Sequence, residues 1–223
     1  MIPWTLLDTA EMPGGGELRL KRRGAEFSIM LGNIELMNSR RCGSEEALAT
    51  MSCERIVDRQ RPNILIGGLG MGFTLRAALA ALGSDARIIV AELVPAVVRW
   101  AHGPMLEVFR ESLSDLRVSI RDADVADLIR SNQSTYDAIL LDVDNGPEAL
   151  TRKANDGLYT LNGLSNARTA LCPGGVLAVW SSGPSRAFTQ RLRSVGFHVA
   201  EVRVRAHGVR SGAQHVLWIA TQS

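Results

Sequence analysis

The sequence predicts an α/β protein whose mostly parallel sheet follows a small antiparallel β-meander at the N-terminus. Three observations carry that prediction. Beyond Pro62, short continuous apolar runs alternate with helical patterns, as expected of strands covered on both faces. Before Pro62, from Glu17 to Met37, apolar and polar residues alternate with period two between turn signals. Between the first buried strand and the helix after it stands the glycine-rich turn Gly67-Gly68-Leu69-Gly70-Met71-Gly72.

The first element the pattern assigns is Glu17-Leu18-Arg19-Leu20, after the turn Pro13-Gly14-Gly15-Gly16. Glu26 to Leu31 and Ile34 to Met37 complete the meander, with breaks at Gly24 and Gly32-Asn33. Ser44 is the expected N-cap of a helix from Glu45 to about Val57, and Glu45 and Glu46 complement its dipole. Arg61-Pro62 ends this unit, which divides the chain into residues 1–61 and 62–223. Strands at Ile64–Ile66, Ile88–Val90, Val118–Ile120 and Ala138–Leu141 then alternate with helices over Phe73–Leu82, from Pro95 and from Val125. Leu158 to Leu171 reads as another helix, stopped by Pro173-Gly174-Gly175 before the strand Val176–Trp180. A helix over Arg186–Val195 and strands over Val199–Val204 and His215–Ala220 close the chain.

A length of 223 residues with 46% hydrophobic content supports one sizeable core plus a small appendage. The balance of 25 basic against 23 acidic residues lacks the basic excess of a nucleic-acid binder. Cys42, Cys53 and Cys172 are scattered, without the close pairing of zinc or redox motifs, which fits a reducing compartment. No stretch reaches the ~20 apolar residues of a membrane span, and the start lacks a secretory pattern, so a cytoplasmic protein without a membrane partner is expected. His102, His198, His207 and His215 have no metal-ligand spacing and read as surface or structural residues; no metal is expected. Arg203, Arg205 and Arg210 read as a solvated strand face.

Open α/β sheets bind ligands at the carboxyl ends of their strands, and acids gather there in this chain. Gly68, Gly70 and Gly72 let the backbone turn sharply and approach a ligand. Glu92 follows about 20 residues later at the end of the second strand, where a carboxylate can accept both ribose hydroxyl protons. Asp122, Ala123 and Asp124 end the third strand, suited to an adenine amino group or to a buried turn; Asp142 and Asp144 end the fourth. Each acid also has a structural reading: Glu92 as an arginine partner, Asp124 as a helix cap, Asp144 as a brace of its own loop. Phe73, where a dinucleotide fingerprint needs glycine, argues against NAD.

At these residues the chain resembles the polyamine aminopropyltransferases, the family of spermidine synthase. The resemblance runs from about Gly32 to Trp180 through Gly-Gly-Leu-Gly-Met-Gly, Val-Ala-Glu-Leu, Asp-Ala-Asp, Tyr-Asp-Ala-Ile-Leu-Leu-Asp, Gly146-Pro147 and Leu158-Tyr159. It implies a Rossmann-like sheet of the class I S-adenosylmethionine-methyltransferase type with a reversed final strand pair. It also implies an S-adenosylmethionine-type nucleoside (the decarboxylated donor, S-adenosylmethionine or methylthioadenosine), an amine acceptor and a homodimer paired through the meander. Carried over by position, Glu92 binds ribose, Asp124 with Ala123 and Asp122 contacts adenine, and Asp142 is the catalytic carboxylate. Glu35, Glu45, Asp144 and Tyr159 fall at acceptor-binding positions. Departures from the family pattern are Ser44 for a tyrosine, Met71 for an aspartate in the glycine loop, Glu35 for a glutamine, and Arg40-Arg41 for an acidic pair. The family's C-terminal tyrosine segment has no counterpart in Arg205 to Gln214. These departures keep two alternatives open, an S-adenosylmethionine-dependent small-molecule methyltransferase and a catalytically silent nucleoside-binding protein.

Overall fold

The computed structural model describes residues 2–40, 42–143, 147, 157–205 and 213–222; Arg41, Asp144, Gly146, His207 and Arg210 lie outside the described residues. Four strands, β1 (Thr5–Glu11), β2 (Glu17–Arg23), β3 (Glu26–Leu31) and β4 (Ile34–Asn38), form an antiparallel sheet in chain order. Period-two patterning puts Leu18 and Leu20 of β2 and Phe27 and Ile29 of β3 on its buried face. β1 is an edge strand that the sequence pattern did not announce. Its residues are almost all exposed and its register shifts between Leu6 and Asp8, so no alternation marks it. Asp8 nevertheless ties it to the rest of the molecule by accepting a 2.7 Å hydrogen bond from the Trp100 indole.

Helix α1 (Gly43–Glu54) leads into the second sheet. There follow β5 (Asn63–Gly67), α2 (Phe73–Ala81), β6 (Arg87–Glu92), α3 (Pro95–His102), α4 (Leu106–Phe109), β7 (Val118–Asp122), α5 (Val125–Arg130) and β8 (Tyr136–Leu141). The chain then forms α6 (Leu161–Ala170), β9 (Leu171–Ser181), α7 (Arg186–Ser194), β10 (Phe197–Arg205) and β11 (Gln214–Gln222). The sheet order is β10-β11-β9-β8-β5-β6-β7. β7, β6, β5, β8 and β9 pair in parallel, while β11 is antiparallel to both β9 and β10. Reversal therefore falls on β11 alone, and β10 runs with the others.

Successive residues of a strand point to opposite faces, and the core divides accordingly. Ile64, Ile66, Val90 and Leu140 pack with α1, α2, α3 and the N-terminal sheet. Leu65, Ile139, Leu141 and Val179 pack with α5, α6 and α7. Strand order reverses direction between β5 and β8, the topological switch point where open α/β sheets form their crevice.

Several sequence expectations are corrected. Ser44 does not cap α1: Cys42 stands at the N-cap with no side-chain bond, and Ser44 lies inside the helix, fully buried. α1 ends at Glu54 rather than near Val57. α6 begins at Leu161 rather than Leu158, capped by the Thr160 hydroxyl accepting from Gly163 N. β9 runs through Pro173-Gly174-Gly175, because a register shift between Tyr136 and Ala138 of β8 accommodates those residues. Among the described residues, no helix is long and apolar enough to cross a membrane.

Candidate active site

Two adjoining cavities open at the carboxyl ends of the parallel strands, and both are lined by Leu36, Met37 and Asp142. The first, of about 90 Å³, lies over β5 and β6 and is lined by Gly68, Glu92, Ala123 and Asp124 from the large sheet and by Leu18 and Ile29 from the small one. Gly68 has φ +88°, and a Cβ there would fall 2.6 Å from the Asp142 carbonyl oxygen, so only glycine lets the β5 and β8 ends close together. Gly70 lies under the Met37 sulfur and Gly72 against the Phe109 ring. Gly72 lines the second cavity rather than the first.

Glu92 ends β6 and is 7% exposed. Its carboxylate accepts from Leu69 N at 2.9 Å and Val94 N at 2.8 Å, so it meets backbone amides where the alternative reading had an arginine. Burial pushes its pKa up against the opposing pull of the amides of Val94, Leu69, Gly70 and Leu93. Asp124 N-caps α5, accepting from Ala126 N at 2.8 Å, and lines the first cavity as well. Asp122 is exposed and lines a separate open hollow with Asn132 and Tyr136, so the triplet does not act from one place.

The second cavity, of about 200 Å³, brings Glu35, Glu45, Asp142, Trp180, Ser182 and His215 together. Asp142 accepts from Thr74 Oγ1 at 2.6 Å. Burial, then the nearby Glu45 charge, pushes its pKa up to about 7, opposed by the Thr74 hydrogen bond. Glu35 stands exposed on β4, its Oε1 accepting from Ser28 Oγ at 2.7 Å and Asn38 Nδ2 at 3.0 Å. Glu45 Oε2 accepts from Ser44 Oγ at 2.6 Å. Tyr159 is buried outside both cavities: its ring meets Phe188 edge-on and its hydroxyl stands 3.5 Å from the Val143 carbonyl oxygen. It braces the chain just beyond Asp142.

His215, Trp180, Ser182 and Thr74 are the lining or contacting residues that the sequence reading did not single out. One signal for His215 was present. A reversed strand presents its first residues at the rim where its neighbours end, and β11 sets Val216 opposite Ser181, the last residue of β9. A histidine beginning an otherwise apolar reversed strand thus belongs to the rim.

No family model matches the chain. Over 124 residues it is 32% identical to a protein named polyamine aminopropyltransferase 1 from Streptomyces coelicolor, a match covering 55% of this chain and 22% of that protein. The chain thus matches about a fifth of the length of this curated relative. A spermidine synthase crystallised with the transition-state analogue AdoDATO superposes with TM-score 0.76 at 17% identity, over 98% of this chain and 72% of the other. Spermidine synthase from Thermotoga maritima gives TM-score 0.78 at 18% identity, over 98% and 73%. A probable spermidine synthase from Corynebacterium glutamicum gives 0.67 at 16%, over 97% and 79%. The fold of this chain is that of the spermidine synthases.

Proposed function

We propose that the chain is a spermidine synthase-like aminopropyltransferase that alkylates an amine with a decarboxylated S-adenosylmethionine-type donor. One observation carries the reading. A carboxylate whose basicity is raised by burial, Asp142, stands where the crevice lined by Glu92, Ala123 and Asp124 meets a carboxylate-lined cavity. The small cavity takes the nucleoside: Glu92 accepts from the ribose hydroxyls, Ala123 and Asp124 flank the adenine, and Gly68 forms part of the wall. The larger cavity takes the amine between Asp142, Glu45 and Glu35.

An alkylammonium has a pKa of about 10.4, so transfer of its proton to an ordinary carboxylate near 4 is uphill by about 9 kcal/mol. Transfer to Asp142, at about 7, is uphill by about 5 kcal/mol. Burial beside Glu45 therefore makes Asp142 a competent proton acceptor, and proximity supplies much of the remaining acceleration. The neutral amine then forms a C–N bond to the carbon next to the sulfonium as the C–S bond breaks. The electron pair goes to sulfur, leaving a neutral thioether nucleoside and a secondary ammonium between the carboxylates. A silent binder leaves this basicity without a use, whereas methyl transfer to the same amine would use it equally, so the choice of donor falls to the product test.

We further read the exposed apolar side chains Trp4, Leu6 and Leu7 at the N-terminal sheet edge as a homodimer surface. The thiols Cys42, Cys53 and Cys172 are unpaired by disulfides, in keeping with a reducing cytoplasm. The test of the reaction is to offer the protein decarboxylated S-adenosylmethionine or S-adenosylmethionine with 1,4-diaminobutane and weigh the products. Aminopropylated diamine with released methylthioadenosine is expected. Methylated product would establish the methyltransferase instead, and bound nucleoside without product the silent binder.

A further inference from the structure

Ser44 Oγ lies 2.6 Å from Glu45 Oε2 and 2.8 Å from His215 Nδ1, joining the first turn of α1 to the start of β11 across 171 residues. Ser44 is 0% exposed, so no ligand reaches its hydroxyl and it is not a nucleophile. A hydroxyl has one proton to give, and ionised Glu45 can only accept. Ser44 therefore donates to Glu45 and accepts from His215, which fixes the proton of a neutral imidazole on Nδ1. Trp180 meets the ring edge-on, centroid to centroid 4.6 Å, and holds its plane. Glu45, His215 and Trp180 all line the cavity that contains Asp142.

We propose that His215 is a positioning residue of the amine site: through the Ser44 hydroxyl it sets the place of the Glu45 carboxylate relative to Asp142. This rests on the reading of the larger cavity as the acceptor site. A glutamate side chain left to itself samples several rotamers, and a ligand that needs one of them must order it on binding. The Nδ1–H···Oγ–H···Oε2 chain does that ordering in advance. Its loss therefore weakens amine binding and raises the amine KM more than it lowers kcat.

The experiment compares wild type, His215→Asn, His215→Gln, Ser44→Ala and the Ser44→Ala/His215→Gln double variant. It measures the affinity of each for 1,4-diaminobutane by calorimetry with methylthioadenosine bound, KM and kcat, and the tautomer of ¹⁵N-labelled His215. Asparagine can place an N–H near the Nδ1 position, whereas glutamine reaches toward Nε2. His215→Gln and Ser44→Ala should each weaken the diamine about tenfold, and the double variant no more than either. His215→Asn should stay within about threefold of wild type, and wild-type His215 should carry its proton on Nδ1. Wild-type affinity in His215→Gln, losses that multiply in the double variant, or an Nε2–H tautomer would overturn the inference. Should His215→Gln fail to fold, the asparagine variant and the tautomer decide. A wild type that binds methylthioadenosine but no diamine sinks the acceptor reading and this inference together; a wild type that binds it, with variants indifferent, sinks this inference alone.

Discussion

Replacing Asp142 by Asn should abolish most turnover and at the same time stabilise the ligand-free protein at alkaline pH. The carboxyl has an ordinary pKa of 3.8 and one of about 7 in the folded chain, raised by burial and by Glu45. A raised acid pKa means that between those values the native state binds more protons than the unfolded state, so stability falls as pH rises through the window. At ~1.36 kcal/mol per pH unit, the interval from 3.8 to about 7 amounts to at most about 4 kcal/mol of destabilisation, complete above pH 7. The substituted asparagine has no charge to desolvate, and its carbonyl can still accept from Thr74 Oγ1. Guanidinium unfolding at a series of pH values should therefore show the variant more stable than wild type by up to about 4 kcal/mol at pH 8, with the gap closing toward pH 4. Adding 1,4-diaminobutane to wild type should recover part of the gap, since a cation relieves the penalty and bound ligand stabilises the native state. A gap independent of pH, or an asparagine variant less stable at pH 8, would refute the argument.

Two further outcomes test the nucleoside crevice and the assembly. Glu92→Gln must turn an amide NH₂ toward Leu69 N or Val94 N, both of which now donate to a carboxylate. We expect at least a tenfold loss of methylthioadenosine affinity by calorimetry, with about 1–3 kcal/mol lost in thermal or denaturant stability; unchanged affinity would remove Glu92 from the ribose site. In light scattering at micromolar concentration the chain should be a dimer, and Leu6→Asp, at a side chain 53% exposed on β1, should shift it to monomer. A monomeric wild type would discard the pairing.

The large sheet was legible because a strand covered on both faces must be apolar throughout, as Ala138–Leu141 and Ile64–Ile66 are. The rim positions of Glu92 and Asp142 were legible for a related reason: a charge at the end of such a run sits at the sheet rim. What was hidden had no local signature. β1 is an edge strand with an irregular register and little buried surface, so it leaves no alternation to read. Ser44 looked like a cap because serine before two glutamates usually is one, but its partner, His215, is separated from it by nearly the whole chain. Tyr159 and Asp122 followed their motifs in sequence yet face other surroundings, since a motif fixes position along the backbone and not the cavity a side chain meets.

The smaller sheet contributes Leu18 and Ile29 to one cavity, Glu35 and Asn38 to the other and Leu36 and Met37 to both, whereas Asp142 and Glu92, the proposed proton acceptor and ribose contact, stand at strand ends of the larger sheet. On the proposed reading, part of the wall that a substrate must fit thus belongs to a module separate from the one that holds the reacting carboxylate. Grafting strands β2 to β4 from a relative onto this scaffold would exchange the wall that a substrate must fit while leaving the reacting carboxylate where it stands. If the chain is the proposed aminopropyltransferase, selection could in the same way retune its amine by altering a stretch of chain that holds neither Asp142 nor Glu92.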